Sequence, residues 1–65
     1  MTPDEYRKAV ATLGLDHPGV GRLLGLTRRA SERYAEGTRA VPPPVAKLLR
    51  LMVTGRVSPR QVERA

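Results

Sequence analysis

The chain has 65 residues, no Cys, one His and neither Phe nor Trp, which bounds it to one small domain near the lower size limit for folding alone. These counts exclude a disulfide framework, a Cys-based zinc site and any two-His metal motif, and they leave Leu, Val, Met, Ala, Tyr6 and Tyr34 to build a core. Twelve Lys and Arg against six Asp and Glu give a net charge of +6, ten of the cations are Arg, and no apolar run approaches the ~20 residues of a membrane helix.

Thr2-Pro3-Asp4-Glu5 is a strong helix start: Thr2 caps, Pro3 suits the first helical position, and Glu5 stands where a capping box places its acid. Tyr6, Ala9, Val10 and Leu13 recur at helical spacing, and Gly14 stops the run, so the pattern predicts a first helix over 3–13. Asp16 caps a second helix of about eight residues that carries Pro18 in its first turn and points Val20, Leu23 and Leu24 inward. Gly21 is a poor helix former, and its presence there predicts close approach of another helix's backbone. Gly25 ends this helix, Leu26 fills the angle that follows, and Thr27 caps a third helix over 28–36 that closes on Gly37. The inward positions of the third helix are Ala30, Ser31, Tyr34 and Ala35, with Arg28, Arg29, Glu32, Arg33 and Glu36 outward. A buried Ser31 is expected to bond back to a carbonyl one turn earlier.

Thr38 to Pro44 is an extended connector, because a residue before proline is pushed out of the helical region. Its last proline is expected to open a fourth helix over 44–54, with Gly55 as the stop. Val45, Leu48, Leu49, Met52 and Val53 make a wide apolar stripe there, widened by Ala46 and Leu51, and that excess predicts a self-association face. Ser58, Pro59 and Gln61 start a short fifth helix over 59–64, with Val57 stapled onto Val62. It is too short to stand alone and is expected to lie on the fourth helix, of its own chain or of a second copy. The reading is all-α: a compact bundle of four to five helices in one domain, 1–65, with residues 44–65 as support and dimerisation element. Leu51, Met52, Val53 and Val62 are the interface candidates.

Two short helices joined by a tight glycine turn form a helix-turn-helix pattern, and here the second of them is loaded with arginine. The residues Leu13, Gly14, Leu15, Arg22, Leu23, Leu24, Gly25, Arg29, Arg33, Ala35, Gly37, Arg39, Val41, Pro42, Pro43, Pro44, Ala46, Leu48, Leu49, Arg50, Leu51 and Met52 carry a family likeness. On them the chain resembles the small Cro/C1-type (XRE) helix-turn-helix proteins of bacteria and their phages, among them the anti-CRISPR-associated (Aca) regulators. The likeness runs without a gap over more than half of the chain. It departs at His17, where the family has Gln, at Ala30-Ser31-Glu32, where it has Thr-Val-Arg, and at Tyr34, where it has Trp.

The resemblance implies a lambda-repressor-like fold whose third helix enters the major groove of double-stranded DNA while the second lies across the phosphates. Arg28, Arg29 and Arg33 then become candidates for base contacts, Arg pairing with guanine through O6 and N7. Glu32 either accepts from a cytosine amino group or orients Arg28 or Arg29, the second being the preferred role. His17, Thr27, Arg22 and Arg39 are the phosphate candidates, with Arg7, Lys8, Lys47, Arg50, Arg56, Arg60 and Arg64 as ordinary solvated charges. The implied function is sequence-specific DNA binding by a small regulator, most simply a homodimeric repressor on an inverted repeat, as in phage or anti-CRISPR operons. The alternatives are an antitoxin or adaptor whose fourth helix serves a protein partner, and a non-specific architectural DNA binder. The six acids show no metal or acid/base spacing, so neither an enzyme, a cofactor nor a small-molecule ligand is expected. No basic-then-apolar signal segment opens the chain, and the expected location is cytoplasmic, on the nucleoid.

Overall fold

The computed structural model describes residues 1–65, and five helices carry the chain: α1 (Pro3–Thr12), α2 (His17–Leu24), α3 (Arg28–Glu36), α4 (Pro43–Val53) and α5 (Pro59–Arg64). The fold is all-α, as the periodicity predicts. Side-chain oxygens cap four of the five helix starts: Thr2 accepts from the N–H of Glu5, Asp16 from Gly19, Thr27 from Ala30 and Ser58 from Gln61. At Ser58 the box is complete, since the Gln61 side chain accepts in turn from the Ser58 N–H.

α4 begins one proline earlier than its pattern predicts. Pro42 holds ψ at 145° and serves as the cap position, and Pro43 and Pro44 both lie in the first turn, where a missing N–H costs nothing. The expected self-association stripe is corrected as well. Ala46, Leu49 and Met52 are the buried residues of α4, and Val45 and Leu48 pack beside them against the core. Leu51 and Val53 remain exposed. Residues two apart stand about 200° apart around a helix, so these two do not share one face: Val53 continues the buried stripe at its end, and Leu51 lies on the far side.

The core forms where α1 meets α3 and α4, and where α2 meets α3. Tyr6 of α1 and Tyr34 of α3 pack edge to face with ring centroids 5.6 Å apart, a geometry favoured by the ring quadrupole. Val20 and Leu49 are fully buried beside them. α5 packs on α2, not on α4 as expected. The chain doubles back after α4 through Gly55, and the Arg56 and Val57 N–H groups both donate to the Leu51 carbonyl. The reversal carries Pro59 and Glu63 over Leu15 and Leu23, apolar side chains that α1 and α3 leave partly uncovered.

Two polar ties fasten α1 to its neighbours, both through arginines expected to be merely solvated. Arg7 donates to the Ala35 carbonyl on α3 and pairs with Asp4. Arg50 on α4 donates two hydrogen bonds to Glu5, at 3.0 and 3.2 Å. The Arg50 hydrogen bond and charge hold the Glu5 carboxyl below the usual carboxylate range.

Two measurements check this architecture. A Cβ at position 21 would stand 2.6 Å from the Leu26 carbonyl oxygen, a backbone atom that cannot step aside, so Gly21→Ala is expected to lower the unfolding free energy by about 1–3 kcal/mol in urea denaturation. The Glu5 carboxyl is depressed in the folded state, so its stabilising effect is present above the ordinary carboxylate range and lost as pH falls through the depressed value. Thermal unfolding of Glu5→Gln is therefore expected to fall below that of the parent chain at neutral pH and to converge with it in acid.

Candidate nucleic-acid interface

The chain from α2 through α3 is tied together backbone to backbone. Gly25 adopts φ +72°, which a residue with a side chain rarely adopts, and its N–H donates to the Gly21 carbonyl. The Leu26 N–H donates to the same carbonyl at 2.8 Å. The Leu26 carbonyl then folds back over Gly21, so the close backbone belongs to the turn itself and not to another helix. Without a side chain at Gly21 the turn closes flat, and the angle between α2 and α3 is fixed by main-chain atoms.

α3 turns Ala30, Ser31, Tyr34 and Ala35 inward, all buried, as its pattern predicts. Arg28, Arg29, Arg33 and Glu36 are exposed, and Glu32 is half-buried among them. Arg28 donates through Nε to Glu32 Oε1 at 3.2 Å, so the acid faces the arginine it was expected to orient. Arg29 and Arg33 stand outside all three ion pairs of the molecule, which are Arg7–Asp4, Arg28–Glu32 and Arg50–Glu5. Two unpaired guanidinium groups four residues apart repel each other on a helix. The fold supplies no counter-ion for them.

The four candidates for phosphate contact are placed differently from one another. Thr27 accepts from the Ala30 N–H at 3.0 Å and keeps its own hydroxyl hydrogen for an outside acceptor. Arg39 follows α3 and stands 6.0 Å from the centre of the Tyr34 ring, a cation–π distance that steadies an otherwise exposed side chain. Arg22 lines the cleft between α2 and α5, with Pro59 and Glu63. His17 opens α2 and is half-buried, with Nδ1 at 2.7 Å from Ser31 Oγ.

Ser31 is where sequence reasoning missed the arrangement. Its hydroxyl does not bond back to a carbonyl. It has no exposure to water and lies 2.6 Å from the Tyr6 hydroxyl and 2.7 Å from the His17 ring. One oxygen thus joins α1, α2 and α3. Burial raises the Tyr6 phenol above its ordinary value, with the Ser31 hydrogen bond opposing. The available signal was a polar residue at an inward position of a helix whose packing partners include a tyrosine and a histidine.

The expected pairing surface is corrected at Met52. Met52 is 4% exposed and belongs to the chain's own core, and Val62 packs half-buried against that core from α5. Leu51, 38% exposed, and Val53, 41% exposed, remain at the surface. No helix is long and apolar enough to cross a membrane.

No family model matches the chain, and no curated protein and no solved structure matches it either.

Removing the Ser31 hydroxyl leaves the buried Tyr6 hydroxyl without a partner, and Ser31→Ala is expected to cost about 1–3 kcal/mol in urea denaturation. Replacing both partners removes the orphan, so Tyr6→Phe in the Ser31→Ala background is expected to recover stability. A double variant weaker than Ser31→Ala alone would contradict the coupling.

Proposed function

We propose that this chain binds double-stranded DNA by laying the outer face of α3 in the major groove. The observation that carries the reading is the pair Arg29 and Arg33, two exposed arginines without acidic partners on a short helix held rigidly by a main-chain turn. Four of the six acids already have partners at the surface: Asp4 and Glu5 with arginines of α1 and α4, Asp16 with a helix cap, and Glu32 with Arg28. Three arginines are neutralised in exposed pairs, and Arg29 and Arg33 keep their full charge at the surface of a chain of net +6. Arg29 and Arg33 read base edges, Arg28 is steered by Glu32, and His17, Thr27 and Arg39 take backbone phosphates on either side. Arg22 takes a phosphate only where the duplex also passes the α2–α5 flank. The likeness to XRE helix-turn-helix proteins supports the same docking.

The molecule measures 29 × 20 × 20 Å, so one copy covers less than one turn of B-DNA, about 34 Å. A single copy makes too few base contacts for a useful site, and two copies on an inverted repeat double them. A regulator of this size acts most simply by occluding a promoter, which makes it a repressor on the nucleoid, of the kind that phage and anti-CRISPR operons use.

Selection from a random duplex pool followed by sequencing tests this. The expected outcome is an enriched inverted repeat with half-sites about 10 bp apart. A pool that enriches no sequence would leave only non-specific binding. Arg29→Ala is expected to relax preference at one base position by about 1–3 kcal/mol, whereas Arg39→Ala weakens all sequences alike and lowers the salt slope by about one.

A further inference from the structure

The chain of contacts from Tyr6 through Ser31 to His17 has only one assignment of hydrogens that leaves none of them stranded. The Tyr6 hydroxyl is fully buried and has one partner, Ser31 Oγ at 2.6 Å. Its hydrogen must go there, because a phenol hydrogen that points elsewhere meets no acceptor. The Ser31 hydroxyl then has one hydrogen of its own and one remaining partner, His17 Nδ1 at 2.7 Å. That hydrogen goes to Nδ1, which must accept it through its lone pair. A neutral imidazole with an accepting Nδ1 carries its proton on Nε2. His17 Nε2 makes no hydrogen bond within the fold, yet no buried side-chain nitrogen or oxygen lacks a partner, so this N–H lies at the surface.

We propose that Tyr6 and Ser31 are positioning residues that fix His17 as a neutral Nε2–H donor, its ring held by the core and its N–H turned outward to a phosphate oxygen. This rests on the DNA reading above and deepens it at one atom. The donor stands at the first position of α2, where Pro18 has no N–H and the Gly19 N–H is taken by the Asp16 side chain, so the ring and not the helix start supplies the contact. The ring needs no added proton to serve, and it loses little freedom on binding, since Ser31 already sets its rotation. Neither Tyr6 nor Ser31 touches the nucleic acid; each acts through His17.

The test reads the two ring nitrogens directly, in the free full-length chain, by two-bond ¹H–¹⁵N correlation in mildly alkaline buffer. The expected result is a protonated Nε2 and an unprotonated, hydrogen-bonded Nδ1 as a single form. A proton on Nδ1, or two nitrogens averaged as in free histidine, overturns the assignment without any reference to DNA. In Ser31→Ala the two nitrogens are expected to move towards the averaged values. Affinity for the selected duplex is expected to fall about tenfold in that variant and in His17→Ala, with no further loss when the two are combined. Independent, additive losses overturn the positioning role. The measurement on the parent chain decides the matter even where Ser31→Ala does not fold. Parent chain that shows the single form but binds no duplex overturns the DNA reading instead.

Discussion

A hydroxyl with no access to water stands at the meeting point of α1, α2 and α3. A group of this kind costs free energy unless both its hydrogen and its lone pairs find partners, and Ser31 finds them in Tyr6 and His17. The arrangement is directional where apolar packing is not. Leu49 and Val20 fill volume and tolerate small shifts of their helices; the Tyr6–Ser31–His17 chain tolerates little, because a displacement of any one helix breaks a bond in the interior. α3 is short, with alanines and Ser31 supplying most of its buried face. It depends on this polar contact, on the edge-to-face tyrosine pair and on the flat turn over Gly21 to hold its angle to α2.

The charges follow from the same economy of size. A chain of 65 residues has few positions to give to ion pairs, and here one acid, Glu5, ties two helices together while Asp4 and Glu32 pair within their own. Arg50 fastens α4 to α1 through Glu5, and Arg7 fastens α1 to the last turn of α3 through a backbone carbonyl. Exposed pairs of this kind add little stability singly. Their larger effect is on distribution, since they neutralise three of the carboxylates locally and leave Arg29 and Arg33 without a partner.

Much of this was legible from residue order. The caps at Thr2, Asp16, Thr27 and Ser58 are local signals that act over three residues, and each side chain accepts as its pattern predicts, although the reciprocal box forms only at Ser58 because Arg50 takes the Glu5 carboxylate. The inward face of α3 follows from helical spacing alone. What a local pattern does not carry is the partner across the core. The Ser31 bonds span 25 and 14 residues, and the Arg50–Glu5 pair spans 45. The placement of α5 on α2 failed for the same reason: Val62 requires an apolar neighbour, and nothing in its own segment says whether α2 or α4 supplies it. Leu51 and Val53 were grouped with Met52 by hydrophobicity, whereas their angular separation around α4 divides them.

The central claim is that the face presented by α3 and the start of α2 meets the duplex, with α4 and α5 behind it. Amide chemical-shift mapping during titration with a short duplex at low salt tests it most directly. The account predicts that the shifted amides cluster at His17 to Val20 and Thr27 to Arg33, with α5 and the second half of α4 little changed. Shifts concentrated on α4 around Leu51 and Val53, with α3 unmoved, would contradict it.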